Sequence, residues 1–242
     1  MIMYAEVEEI VTGDGSKTLY DKVLGVTYRS RFGALAESEY VFIKGTRLPE
    51  LILSKRSAPQ QHSSDNIKIL ELGFGAATNF FTTTALYVSL IGDSLDTPLE
   101  YLSLDSRPLH PDILPNTSQF SPLVHEALLG VQKHGIYSVT HPEFPITLTL
   151  LYYPWCHPAA IEYTQGYDAD CYFHDPFGPR TNPDSWDETA FRWAFDRIRS
   201  KGILATYSAA SHVKRHIRSV GFSLEVRKGI PPKREVLAAI KP

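Results

Sequence analysis

The sequence predicts an α/β fold: a Rossmann-like, mostly parallel sheet of seven strands with an antiparallel last strand, preceded by an amino-terminal β-hairpin extension. Three observations carry this reading. An apolar run at residues 67–72 breaks at Gly73-Phe74-Gly75 and passes into a helix-compatible stretch from Thr78. Two later strand-like runs, residues 100–106 and 170–175, end in carboxylates, Asp105 and Asp175. The chain closes with two strand-like runs, 222–228 and 235–241, around Gly229-Ile230-Pro231-Pro232, which reads as a hairpin.

Residues 6–20 alternate on both sides of Thr12-Gly13-Asp14-Gly15-Ser16, a turn-rich cluster typical of a hairpin. Residues 31–43 begin irregularly and reach a strand-like Tyr40-Val41-Phe42-Ile43, and the polar run 58–65 reads as a loop. This divides the chain into an extension, residues 1–60, and a main domain, residues 61–242. In the main domain the strands are 67–72, 100–106, 146–153, 170–175 and 202–207, followed by the closing pair. A helix is predicted from Ser185, capped by Asp184, with Trp186, Ala190, Ala194, Phe195 and Ile198 at helical spacing and Gly202 as its stop. Another spans 208–220, with Val213, Ile217 and Val220 inward, Lys214, Arg215 and Arg218 outward, and Gly221 at its end.

The 242 residues are 43% hydrophobic and 21% charged, enough for one sizeable core. No apolar run approaches ~18 residues and the amino terminus lacks a basic region followed by an apolar one, so a cytoplasmic protein without membrane association is expected. Two cysteines, Cys156 and Cys171, do not make a disulfide framework, and the scattered histidines predict no metal. The net charge of −3 hides an asymmetry. From residue 201 onward nine Lys or Arg stand against two acids, a net of +7, while the remainder nets −10. One positively charged face suited to a polyanion follows.

Asp175 stands where Pro176, which has no amide hydrogen and a fixed φ, forces the chain out of the sheet. The carboxyl end of a strand is where open α/β sheets bind ligands. A carboxylate there can accept a proton or hydrogen bond from an amine, and Phe177 can exclude water. The Gly73-Phe74-Gly75 bend lets backbone approach a ligand closely, a property shared by NAD, FAD and purely structural turns. Asp105 falls where a carboxylate grips the two hydroxyls of an adenosine ribose. Glu71, which would repel a pyrophosphate, favours S-adenosyl-L-methionine over a dinucleotide.

Across TGDGSKTLYD, AESEYVF, ELGFGAATNF, DPFGPRTNPDSW, GILATYSAASHVKRHI and GFSLEVRKGIPPKREVL, nearly the whole chain resembles the methyltransferase domain of the tRNA 5-methylaminomethyl-2-thiouridine biosynthesis family, MnmC. The resemblance implies a class I methyltransferase that uses S-adenosyl-L-methionine to methylate the primary amine of 5-aminomethyl(-2-thio)uridine at the tRNA wobble position, acting on a substrate prepared by upstream amine-forming tRNA-modifying enzymes. It further implies Asp175 as the catalytic carboxylate; Glu71, Gly73, Gly75, Asn79 and Asp105 at the cofactor; Pro176 and Phe177 at the substrate; and Lys214, Arg215, Arg218, Lys233 and Arg234 on tRNA phosphates. No counterpart of the family's flavin (FAD) domain is expected before the end at Pro242. Three departures stand out: Asp105 replaces the usual glutamate, Asp-Pro-Phe replaces Asp-Gly-Phe, and Pro154-Trp155-Cys156-His157-Pro158 replaces a segment that commonly carries an acid near the adenine. Trp155 can stack on adenine instead. A small-amine methyltransferase and a non-catalytic RNA-binding relative are the competing readings.

Overall fold

The computed structural model describes residues 6–11, 15, 17–28, 34–57, 66–92, 95–114, 116, 118–231 and 233–242. Most of the hairpin tip at 12–16 and the whole of the loop read at 58–65 lie outside them. Three strands, β1 (Val7–Val11), β2 (Lys17–Asp21) and the short β3 (Val26–Thr27), form an antiparallel amino-terminal sheet. A single turn, α1 (Ala34–Glu37), runs directly into a π-helical segment, Ser38–Ile43, and then α2 (Leu48–Ser57).

The main sheet takes its strands from β4 (Ile67–Leu72), β5 (Leu99–Leu104), β6 (Ile136–Thr140), β7 (Ile146–Leu151), β8 (Ala169–His174), β9 (Ile198–Thr206), β10 (Ser223–Lys228) and β11 (Glu235–Ile240), in the order β10-β11-β9-β8-β4-β5-β7-β6. The five strands from β9 to β7 are parallel, and β11 enters antiparallel beside β9. The helices between them are α3 (Thr78–Ile91), α4 (Ser121–His134), α5 (Pro158–Tyr163), α6 (Glu188–Arg197) and α7 (Ser211–Ser219). Parallel strands in such a sheet are covered on both faces and alternate between two cores. On β4, Ile67 and Ile69 join Phe80, Tyr101, Val124 and Phe173 on one face, while Leu70 and Leu72 join Trp186, Phe191, Leu204 and Ile217 on the other. Val41, Phe42, Leu48 and Ile52, all before residue 60, are fully buried in the first of these cores.

The predicted class, a mostly parallel sheet with a late antiparallel strand and an amino-terminal hairpin, is the class observed, with specific corrections. The sheet has eight strands among the described residues, not seven; the addition is β6, antiparallel to β7 at the edge. Tyr40–Ile43 is helical, because burial of Val41 and Phe42 against α3 outweighs their strand propensity. Residues Pro183–Trp186 make only a short 3-10 turn, and α6 starts at Glu188, where Asp187 accepts the amide of Ala190 at 2.8 Å. Strand β9 starts at Ile198, directly after α6, so Gly202 lies inside the strand instead of ending the helix.

Candidate active site

Register positions the site. Leu72 at the end of β4 pairs with Leu104 of β5 on one side and His174 of β8 on the other, so Asp105, Gly73 and Asp175 emerge side by side. Backbone bonds lock this: the amide of Gly73 donates to Leu104 (2.8 Å) and that of Asp175 to Leu72 (2.9 Å). The strand order reverses at β4, since the chain goes outward through β5 and β7 and returns to β4's other side with β8. Such a reversal opens a crevice at the strands' carboxyl ends. A cavity of about 800 Å³ occupies it, lined by Gly73, Gly75, Asp105, Trp155 and the turn from Asp175 to Gly178, and roofed in part by Tyr28.

Both glycines are required by geometry. Gly73 has φ +96°, and a Cβ there would sit 2.5 Å from the Asp175 carbonyl oxygen. Gly75 has φ +50°, and its Cβ would press at 3.0 Å on the Tyr28 ring.

Asp175 is held from beneath. Asn79, fully buried at the start of α3, donates through Nδ2 to Asp175 Oδ2 (2.9 Å) and to Glu71 Oε1 (2.8 Å). Its Oδ1 accepts from Ser38 Oγ (2.7 Å), and Ser103 Oγ donates to Glu71 Oε2 (2.9 Å). Glu71 and Asn79, expected at the cofactor, lie below the cavity floor and do not line it; they reach the cavity through Asp175.

Asp105 is held by backbone. Its Oδ2 accepts the amide of Gly75 (2.9 Å) and its Oδ1 the amide of Arg107 (2.8 Å). Burial pushes its pKa above the ordinary carboxylate value; those amides and the Arg107 guanidinium act in the opposite direction. Arg107 also bonds the fully buried Asp21 (3.0 Å), tying the amino-terminal sheet to this wall. Tyr28, from that sheet, meets Phe177 edge-on with ring centroids 5.0 Å apart.

The turn after Asp175 is braced on both sides. Tyr207 Oη donates to the Pro176 carbonyl (2.7 Å) and Trp186 Nε1 to that of Phe177 (2.7 Å). His174, fully buried against Trp186 and Phe191, has its pKa pushed down by burial to about 3, so at neutral pH it is an uncharged wall and no proton carrier. Trp155 borders the cavity, but the residue is only 8% exposed and its ring centroid lies 6.1 Å from that of Trp193.

Of the cations expected on RNA phosphates, Arg215, Arg218 and Arg234 are exposed. Lys214 is paired with Glu235 at 2.5 Å. Lys233 turns into the cavity, bonded to Glu37 and 4.1 Å above the Tyr207 ring. Tyr28, Glu37, Arg107 and Tyr207 are cavity residues that sequence reading did not single out. Nothing in their local pattern marks them, because contacts such as Glu37 with Lys233 join positions 196 residues apart.

Residues 123–242 match the family model described as S-adenosyl-L-methionine-dependent methyltransferase. Over 225 residues, 90% of the chain, it is 29% identical to the tRNA 5-methylaminomethyl-2-thiouridine biosynthesis bifunctional protein MnmC of Nitrosospira multiformis. Over 99% of the chain it is 28% identical to the same bifunctional protein from Pseudoalteromonas atlantica. The chain spans 34% of each of these relatives. The crystal structure of MnmC2 from Aquifex aeolicus superposes with a TM-score of 0.77 at 25% identity, covering 98% of this chain and 73% of that one. The chain is thus similar to MnmC proteins over nearly its whole length, and S-adenosyl-L-methionine is the cofactor named by the family model that its residues 123–242 match.

Proposed function

We propose that this relative of the MnmC proteins uses S-adenosylmethionine to convert 5-aminomethyl(-2-thio)uridine to 5-methylaminomethyl(-2-thio)uridine at the wobble position of tRNA, in the cytoplasm, with residues 61–242 supplying the sheet and its carboxylates and residues before 60 completing the cavity through Tyr28 and Glu37. The observation that carries it is the Asp175 carboxylate, oriented by Asn79 and standing next to the Gly73 turn at the sheet's crevice. The residues present fit the cofactor: a glycine turn with two positive φ angles faces the half-buried Asp105 carboxylate inside a cavity of suitable size.

When bound, S-adenosylmethionine supplies an electrophilic methyl group on a sulfonium. Asp105 would hold it by accepting from the ribose hydroxyls, and the Gly73 and Gly75 turn would let backbone approach it closely. An amine of lysine-like basicity, pKa about 10.4, is neutral in roughly one part in 2,500 at pH 7, so its proton must be removed before nitrogen attacks. Asp175, directly or through water, takes up that proton and fixes the nitrogen's position. Pro176 and Phe177, braced by Tyr207 and Trp186, hold the substrate wall rigid, and Phe177 with Tyr28 excludes water.

Arg215, Arg218 and Arg234 contact tRNA phosphates. The test is nucleoside mass spectrometry of tRNA bearing the unmethylated 5-aminomethyl group, before and after incubation with protein and cofactor. A gain of one methyl group on that nucleoside supports the reading. Methylation of small amines without RNA replaces it with a small-amine enzyme, and absence of cofactor binding by calorimetry replaces it with an RNA-binding relative.

A further inference from the structure

Glu37, Lys233 and the face of the Tyr207 ring form an arrangement to which the reaction above gives no role beyond the Tyr207 hydroxyl's brace on Pro176. All three line the same cavity as Asp175. Glu37 is only 4% exposed, a burial at which a carboxylate requires a cationic or hydrogen-bonding partner. Lys233 Nζ bonds to Glu37 Oε1 and lies 4.1 Å above the centroid of the Tyr207 ring, so a carboxylate and an aromatic face receive one primary alkylammonium.

Tyr207 is bonded directly to the Asp175 turn, and Glu37 is linked to it through its neighbour Ser38 and Asn79. Tyr207 donates to the carbonyl of Pro176 at 2.7 Å. Glu37 is followed by Ser38, whose hydroxyl bonds Asn79, which in turn bonds Asp175. Lys233 itself comes from the connection between β10 and β11, held locally by the Gly229 amide to Arg234 carbonyl and the Lys233 amide to Ile230 carbonyl bonds. Its side chain can therefore leave without unmaking the sheet.

We propose that Glu37 and Tyr207 form the capture subsite for the substrate's primary ammonium, and that Lys233 fills it until the substrate arrives. This rests on the reading that the acceptor is an aminomethyl group. The entering ammonium takes the same carboxylate and ring, and is handed to Asp175 on the adjoining turn for deprotonation. The displaced Lys233 moves to the rim, where Arg234 is already exposed, and is free to meet the nucleic-acid backbone. The subsite discriminates against uridines whose 5-substituent ends in a carboxylate, since that group would face Glu37 directly.

The test uses the full chain saturated with S-adenosylhomocysteine and ethylammonium chloride as probe, by calorimetry. Lys233→Met is expected to bind ethylammonium at least tenfold more tightly than the wild type, and Lys233→Met with Glu37→Gln is expected to lose that gain. Equal affinity in wild type and Lys233→Met, or a gain that survives Glu37→Gln, overturns the subsite. Should Lys233→Met fail to fold, Lys233→Gln, uncharged and one atom shorter, carries the same two expectations. Nucleoside mass spectrometry separates this from the parent reading. A wild type that leaves aminomethyl-tRNA unmodified while the ammonium results hold overturns only the tRNA substrate. A wild type that methylates it while Lys233→Met gains no ammonium affinity overturns only the subsite.

Discussion

Asp105 and Asp175 follow β5 and β8, the two strands that flank β4 and its Gly73 turn, yet they are held in different ways. Asp105 accepts from two backbone amides, Gly75 and Arg107, which are present whatever side chains those residues carry. Asp175 depends on a side chain, the Asn79 amide, shared with Glu71. A carboxylate set by backbone suits a fixed recognition task such as gripping hydroxyls. One set by a side-chain network can be detuned by a single substitution, and its orientation matters most where a proton changes hands.

The largest effect that would break this division is at Asp175 itself. Asp175→Ala should lower turnover about a thousandfold, within the range for loss of a positioned acid-base group, with S-adenosylmethionine affinity changed less than threefold. Single-turnover methylation alongside calorimetry reads both, and a variant with near-full activity removes Asp175 from the reaction. Next comes Asn79→Ala, which removes the Asn79 amide from both the Asp175 carboxylate and buried Glu71. Turnover should drop about 30-fold and the fold should lose ~2 kcal/mol, measured by denaturant titration. If the loss appears as weaker cofactor binding at unchanged kcat, Asn79 serves the cofactor directly and the contrast with Asp105 dissolves.

How far these features were legible in the sequence follows from the range of the interactions that set them. Strand β4, its glycine turn and the carboxylates closing β5 and β8 are local: apolar runs cut by Gly or Pro. Pro176 announced the end of β8 because no proline can continue a ladder. The segment Tyr40–Ile43 misled because its β-branched and aromatic residues favour strands in isolation, while contact with α3 and a Tyr40 hydroxyl bond to Lys228, 188 residues away, decides its actual shape. Edge strand β6 escaped because Ser138 and Thr140 interrupt its apolar content, and its pairing is completed by hydroxyl contacts to Thr149 and Thr147. Glu71 and Asn79 read as cofactor contacts in the sequence; that they lie outside the cavity lining depends on α3's depth, which no spacing reveals.

A third measurement sharpens the Asp105 side. Burial raises its pKa, so the protonated form persists to a higher pH than for an ordinary aspartate, and a protonated carboxyl is a poorer acceptor for ribose hydroxyls. Cofactor affinity should be full above that raised pKa and decline as pH falls through it, by about tenfold over the window. The stability linkage runs the other way: a raised folded pKa contributes stability present below the unfolded value near 3.8 and lost as pH rises through the folded one. Acidification should therefore relieve the cofactor-free protein at this group while weakening the complex, so the thermal shift given by S-adenosylhomocysteine shrinks. Asp105→Asn should flatten the pH dependence of binding, and a slope that persists in this variant assigns the titration elsewhere.

The smallest effect extends the same rule, that a side chain's partners decide its task, to the basic end of the chain. Arg215, Arg218 and Arg234 are exposed, whereas Lys214 is engaged by Glu235. Each phosphate contact releases close to one counterion, so removing three should flatten the plot of log affinity for tRNA against log salt by about two. Lys214→Ala also frees Glu235, which adds local repulsion, so its affinity loss should come with a change in slope below one half. Fluorescence anisotropy with labelled tRNA across salt concentrations separates the two. If Lys214→Ala moves the slope as much as an arginine substitution does, its ion pair opens on the RNA, and exposure in the free protein is not what selects the contacts.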